Sequence, residues 1–197
     1  MAHRPLLITG VPGTGKTTVA KLLSEKTNSA LIDINKLVSA LKLYSSVDEA
    51  DSAKIVKLKE LQDELSAAIK AELKSRDVIV EGHLGCEMKL PVSKVIVLRC
   101  EPKELRRRMA GRSYSPEKIS QNALSEALDY CTVLSEKNFG KRKVWEIDTT
   151  ARTPAEVSSL CGKIMLGKQK KKSRVSFPDA LLREAISGEK IRKALQG

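Results

Sequence analysis

Little in this sequence ties it to a membrane or to an oxidising compartment. Its longest apolar runs are strand-sized, far short of the ~20 residues a spanning helix needs. The N-terminus also lacks the long apolar stretch of a secretory leader. The four cysteines, Cys86, Cys100, Cys131 and Cys161, are widely separated and include no C-x-x-C pair, which argues against a disulfide scaffold, a zinc ribbon or a zinc-bearing lid. A reducing cytoplasm is the expected location. Histidine is scarce: His3 sits in the N-terminal tail, which leaves His83. No N-K-x-D guanine motif occurs, because Asn35-Lys36-Leu37-Val38 fails at the fourth position, and no arginine stands between Arg4 and Arg76.

Positive charge, by contrast, is abundant. The 197-residue chain is 41% hydrophobic, enough for one domain with a real core, and carries a net charge of +12. Residues 167–197 hold nine Lys/Arg against three Asp/Glu, half of that net charge in less than a sixth of the chain. An excess of this size implies an acidic partner larger than a small nucleotide. The composition shift sets an expected boundary between a domain over 1–166 and a basic tail over 167–197. Lys168 to Lys172 reads as a linker or a disordered stretch. Beyond Pro178, Leu181, Leu182, Ala185, Ile186, Ile191 and Leu195 form an interrupted amphipathic stripe, as in a small helical hairpin or a segment that folds on a partner.

The most specific signal is Gly10-Val11-Pro12-Gly13-Thr14-Gly15-Lys16-Thr17-Thr18, which fits G-x-x-x-x-G-K-[ST]. Such a loop turns its backbone N–H groups toward phosphates; the lysine reaches the β/γ-phosphates and the threonine hydroxyl meets Mg²⁺. Gly13 and Gly15 let the backbone approach anionic oxygens with no Cβ in the way, while Lys16, Thr17 and Thr18 open a helix whose N-terminus favours negative charge. The apolar run Pro5–Thr9 before the loop suits a buried strand, and Val19, Ala20, Leu22 and Leu23 after it recur on one helical face. Nucleotide binding follows from this stretch.

Further runs at 30–34, 77–81, 94–98 and 144–148 read as strands, the middle two β-branched enough to be covered on both faces. Between them the sequence predicts a short helix over 35–43 and a long one through Ile55, Leu58, Leu61, Leu65, Ile69 and Leu73. A basic helix from Pro102 should stop near Gly111. Ser115-Pro116 should open a helix through Ile119, Leu124, Leu128 and Val133, and Thr153-Pro154-Ala155-Glu156 is a capping box before Val157, Leu160 and Ile164. Strand alternating with helix five times predicts an α/β fold, a five-stranded parallel sheet with helices on both faces, with ligand at the carboxyl ends of the strands.

Phosphoryl transfer needs positioning and positive charge more than covalent chemistry. Arg99 ends a strand at the expected ligand edge. Arg108 and Arg112 share a helical face four residues apart and are assigned to phosphate, whereas Arg106 and Arg107 read as solvated surface. Glu81 closes an apolar strand where an acid associated with Mg²⁺ would stand, with Gly82-His83 directly after it.

Four stretches together carry a family resemblance: 10–18; Val78-Ile79-Val80-Glu81-Gly82-His83; Val95-Ile96-Val97-Leu98-Arg99; and 108–119, containing Arg112-Ser113-Tyr114-Ser115-Pro116. From about Leu6 to Ile164 the chain resembles the adenylate kinase isoenzyme 6 family, small nucleotide kinases/ATPases that assist maturation of the small ribosomal subunit, with spelling closer to its archaeal members. The resemblance implies a P-loop nucleoside-monophosphate-kinase-like fold, a monophosphate-binding insert over about 33–55 and a lid over about 111–121. It implies conversion of ATP plus AMP to two ADP, together with ATP hydrolysis in concert with a platform protein of the small subunit; rRNA would be reached through the basic tail. Lys16, Arg108, Arg112 and His83 would act in catalysis, and Gly13, Gly15, Lys16, Thr17, Thr18 and Arg112 would bind ATP. Asp33, Lys36 and Arg99 would bind AMP, and Thr17 and, through water, Glu81 would hold the metal. Two positions depart from the family pattern. Its acid before x-His is usually aspartate where this chain has Glu81, and an arginine common in the monophosphate helix is replaced at about Ser39. Lys36 and Lys42 match its charge but not its planar two-pronged grip. Alternatives are an assembly ATPase with little AMP kinase activity, or a kinase for another small acceptor.

Overall fold

The computed structural model describes residues 3–47, 54–111, 114–170 and 174–181. Its frame is a five-stranded sheet of β1 (Pro5–Thr9), β2 (Ala30–Asp33), β5 (Val78–Glu81), β6 (Lys94–Arg99) and β7 (Val144–Asp148), in the order β2-β5-β1-β6-β7 with every neighbouring pair parallel. The chain leaves β1 toward one edge and returns from β5 toward the other. The crevice at the carboxyl ends of β1 and its neighbours is therefore the place where loops part. Strand alternation divides the core in two. Leu7, Val78, Val80, Val95 and Val97 face one layer with Leu61, Leu65 and Ile69 of α3 (Leu58–Glu72). Leu6, Ile8, Ile79, Ile96 and Leu98 face the other, with α1 (Lys16–Thr27) and α7 (Pro154–Met165). No helix among the described residues is long and apolar enough to cross a membrane.

Local chemistry sets the helix boundaries. Asp33 caps α2 (Ile34–Ala40), its carboxylate accepting from the Lys36 backbone N–H at 3.1 Å. Glu101 caps α4 (Pro102–Ala110) and Ser115 caps α5 (Pro116–Ala127), each with proline in the first turn. At α7 the Thr153–Glu156 capping box is complete, with the Glu156 side chain also accepting from the Thr153 backbone N–H.

Two expectations are corrected. Ile55 does not begin α3; it lies in β4 (Lys54–Val56), which pairs antiparallel with β3 (Tyr44–Val47), and its side chain is exposed. A β-branched pair opposite another strand satisfies the backbone better there than an early helical turn. The apolar series Leu124, Leu128 and Val133 is likewise exposed, because Asp129 takes a left-handed conformation (φ 56°) that separates α5 from α6 (Tyr130–Phe139). Ala123, Glu126, Cys131, Thr132 and Ser135 turn inward in its place. The inward face is partly polar because a buried arginine meets it.

Part of the basic tail rests on the domain. Within 174–181, the Val175 backbone N–H donates to Glu146 Oε2 at 3.0 Å, Arg174 pairs with Asp129 at 3.4 Å, and Ala180 is buried. The expected stripe beyond Leu181, and Lys171 and Lys172 of the expected linker, lie outside the described residues.

Candidate active site

The loop between β1 and α1 is built for an anion. Gly15 is the N-cap of α1 at φ 93°, with no side chain capping the helix, and a Cβ built on it would meet nothing within 4 Å. The first amides of α1 thus face open space, where the helix dipole favours negative charge. Gly13 has a different reason: its φ of 91° strains any side chain, and a Cβ there would press within 2.8 Å of the Leu105 side chain of α4. Lys16 is nearly buried and donates from Nζ to the Val11 carbonyl at 3.0 Å, and burial lowers its pKa below the ordinary ammonium value.

A cavity of about 170 Å³ opens in front of the loop, lined by Lys16, Thr17, Thr18, Asn35, Glu81, His83 and Tyr114 among others. The parallel register sets Asp33 beside Glu81. Burial, then the Asp33 charge, raises the Glu81 pKa, while the Thr17 hydroxyl hydrogen-bonds its carboxylate and Lys16 and Lys36 oppose the shift. Two crowded carboxyl groups beside a threonine hydroxyl form an all-oxygen donor set that fits a hard divalent cation such as Mg²⁺. His83 stands next to them with Nδ1 at 3.2 Å from the Gly10 carbonyl and its ring stacked on Tyr130, centroids 5.9 Å apart. Burial, followed by the Lys16 charge, lowers its pKa to about 4, so the imidazole is neutral at pH 7.

Behind the loop lies a larger cleft of about 710 Å³, bounded by Gly13, Gly15, Thr18, Arg107, Arg108 and the segment 149–154. Arg108 forms part of its wall. Its guanidinium donates to Glu104 Oε1 (2.9 Å), Thr149 Oγ1 (3.1 Å) and the carbonyls of Thr149 (2.7 Å) and Thr150 (3.0 Å). Arg107, read from sequence as plain surface, also borders this cleft and pairs with Glu104. Hydrogen bonds from Arg107 and Arg108 hold the Glu104 carboxyl down at about 2.

Arg99 does not join the site. It is 1% exposed, with Nε on Glu126 (2.6 Å), Nη1 on Glu146 (2.7 Å) and Nη2 on Asp129 (2.5 Å), and further bonds to Thr132 and the Glu126 carbonyl. Burial alone would lower its pKa, but these carboxylates outweigh burial and raise it. Its place at the end of β6 was legible in the sequence. Its side-chain direction was not: following Leu98 it points to the opposite face, into α5 and α6, where its donors meet protein carboxylates and leave none for AMP. Arg112 lies outside the described residues. Lys16, Thr17, Thr18, Glu81, His83, Asp33 and Lys36 gather at one edge of the sheet. Sequence reasoning placed Tyr114 in the lid without a role of its own and missed Asn35, Tyr130 and the Thr149–Thr150 turn, although the turn's position after the last parallel strand marks it as part of the ligand edge.

A P-loop at the carboxyl edge of a five-stranded parallel sheet, with a cavity before the loop and a cleft behind it, defines a P-loop kinase of the nucleoside-monophosphate-kinase type. Similarity to known proteins narrows the class. The family model described as "AAA domain" matches residues 6–129. A relative named "Putative adenylate kinase" in Methanocaldococcus jannaschii is 35% identical (88% of this chain, 91% of the relative). A relative of the same name in Halobacterium salinarum is 38% identical (81% and 89%). In fold the chain is similar to thymidylate kinase from Candida albicans (TM-score 0.58, 17% identity, 89% and 96% covered) and to a sugar kinase from a Janibacter species (TM-score 0.55, 14% identity, 84% and 95% covered). The chain belongs to this adenylate-kinase-like family of P-loop phosphotransferases.

Proposed function

We propose that the chain transfers the γ-phosphoryl group of ATP to AMP and hydrolyses ATP alongside, with hydrolysis a substantial share of turnover. The observation that carries this reading is the division of the P-loop surroundings into two spaces. The cleft walled by Arg108 and the Thr149–Thr150 turn suits the base and ribose of the donor. The cavity of Asn35, Glu81 and His83 suits the acceptor's phosphate.

With the donor phosphates in the loop, Lys16 exchanges the Val11 carbonyl for the β/γ-oxygens, and the amides of α1 take up the remaining charge. Mg²⁺ would be held by Thr17 and, through water, by Glu81, and would supply positive charge to offset the charge that develops during phosphoryl transfer. His83, neutral at pH 7, adds no charge to the cavity; in hydrolysis its imidazole can accept a hydrogen bond from the attacking water, whereas in transfer the nucleophile is an oxygen of the AMP phosphate and needs no base. Arg112 supplies a further guanidinium from the lid over about 111–121, and the insert over about 33–55 carries Asp33 and Lys36 toward AMP.

No arginine lines the smaller cavity among the described residues, and Arg99 is held elsewhere. A monophosphate held by lysine point charges is less well oriented for in-line attack than one clamped by guanidinium, and misplacement of a reactant costs on the order of 10²-fold. This favours a slow AMP kinase with marked AMP-independent hydrolysis, as in an assembly ATPase acting on the small ribosomal subunit. The +6 of residues 167–197 supports an rRNA-bearing partner, with a platform ribosomal protein beside it.

ADP and phosphate release measured with and without AMP test the reading. We expect modest AMP stimulation over substantial basal hydrolysis, and Ser39→Arg, at an exposed position of α2, should raise the AMP-dependent rate with little change in the basal rate. Fast, strictly AMP-dependent ADP formation by the unmodified protein would overturn the assignment of a major ATPase role.

A further inference from the structure

Three soft or borderline donors converge under the P-loop, and nucleotide chemistry does not use two of them. The turn following β5 is a 3₁₀ helix, His83–Glu87, which places His83 and Cys86 three residues apart and hence on the same side of one tight turn. The start of α6 brings Cys131 against them. The ligand atoms of His83, Cys86 and Cys131 all lie within 4.8 Å of one another, and Cys131 Sγ stands 3.5 Å from His83 Nδ1. Zinc bonds of about 2.3 Å to sulfur and 2.0 Å to nitrogen in a tetrahedral site separate ligand atoms by about 3.4–3.8 Å. The donors are therefore gathered at nearly the required spacing before any ion arrives.

The other two cysteines show that burial alone does not produce this arrangement. Cys100 and Cys161 are as buried as Cys86, yet neither belongs to a donor group of this kind among the described residues. Half-buried His83 lines the cavity that holds Lys16 and Glu81, whereas Cys86 and Cys131 are buried.

We propose that His83, Cys86 and Cys131, with a solvent water as fourth ligand, form a binding site for one thiophilic divalent cation of the Zn²⁺ class, distinct from the oxygen-lined Mg²⁺ position at Thr17 and Glu81. On binding, each thiol loses its proton to solvent and forms a metal–sulfur bond, and His83 Nδ1 donates its lone pair while the ring proton moves to Nε2. Two thiolates balance the 2+ charge, so the filled site is neutral beside the Lys16 ammonium. Zinc prefers these N/S donors, whereas Mg²⁺ takes oxygen, so the two sites do not compete for the same ion. Because Nδ1 also faces the Gly10 carbonyl at 3.2 Å, occupancy alters a contact of the first P-loop residue and links the metal to nucleotide binding.

The test is Co²⁺ titration of the full, reduced protein, followed by displacement with Zn²⁺. We expect one equivalent to give thiolate-to-cobalt charge-transfer absorption with the intense visible bands of a tetrahedral ion, and Zn²⁺ to abolish both. Cys86→Ser and Cys131→Ser should each weaken binding by at least tenfold and diminish the charge-transfer band, whereas Cys161→Ser should leave the spectrum unchanged. X-ray absorption of the Zn²⁺ form of the unmodified protein gives an answer that requires no variant to fold: two sulfur neighbours at about 2.3 Å are expected. Absence of sulfur neighbours, or a charge-transfer band that survives in the folded Cys86→Ser/Cys131→Ser double variant, would overturn the site.

Discussion

Replacing Arg99 separates a structural role from a substrate-binding one. Its five hydrogen bonds satisfy Glu126, Asp129 and Glu146, of which Glu126 is 2% exposed and Glu146 8% exposed at the side chain. Arg99→Ala leaves Glu126 and Glu146 facing a cavity without their ion-pair partner, while Asp129 keeps Arg174. Breaking a buried ion pair from one side costs about 3–5 kcal/mol, a large part of the ~5–15 kcal/mol that holds a domain folded. With a urea dependence of about 2 kcal/mol per molar, the unfolding midpoint falls by roughly 2 M. Arg99→Lys keeps the charge but offers three donors from one nitrogen in place of a planar fork, so it should lie between the two. The assay is urea unfolding followed by tryptophan fluorescence, since Trp145 lies on β7 beside Glu146, with AMP dependence measured on the folded variant. A midpoint unchanged within about 0.3 M, accompanied by a raised KM for AMP, would refute the structural role and return Arg99 to the acceptor site.

Lys16→Ala should abolish ATP turnover while the fold survives, because among the described residues Nζ donates to one backbone carbonyl, that of Val11; retained turnover in the folded variant would sink the loop assignment. His83 gives a pH signature. Its folded pKa of about 4 lies below the ordinary 6.5, so the unfolded chain binds the proton first. Stability from this group is therefore full above 6.5 and is lost as pH falls toward 4, by about 2 kcal/mol between pH 7 and pH 5. The raised Glu81 pKa works in the opposite sense, favouring the fold at the acid end of its window. His83→Gln should flatten the acid loss seen in chemical unfolding at the two pH values, and an equally steep loss would exclude His83 as its source. Exchanging Lys168, Lys170, Lys171 and Lys172 for glutamine should leave catalysis unchanged and weaken RNA association, reducing the salt slope by about 0.7 for each single-strand phosphate no longer neutralised; identical affinity and slope would mark the run as merely solubilising.

The sequence by itself determined the parallel α/β frame, the P-loop and the acid-glycine-histidine turn, because each rests on local chemistry. Uninterrupted β-branched runs need cover on both faces, glycines permit close anion approach, and a capping box satisfies amides within four residues. It also placed Glu81 beside the loop, since the carboxyl ends of parallel strands share one edge. Only the tertiary structure decided where Arg99 spends its donors: the side chain's direction follows from strand register, and its carboxylate partners lie 27, 30 and 47 residues away in sequence. The same holds for the joining of His83 and Cys86 to Cys131, which is 48 residues beyond His83. It holds again for the exposure of Leu124, Leu128 and Val133, where a left-handed Asp129 turns the helices so that Glu126 faces inward. Periodicity records which faces are apolar; it does not record a buried guanidinium that requires a polar face opposite it.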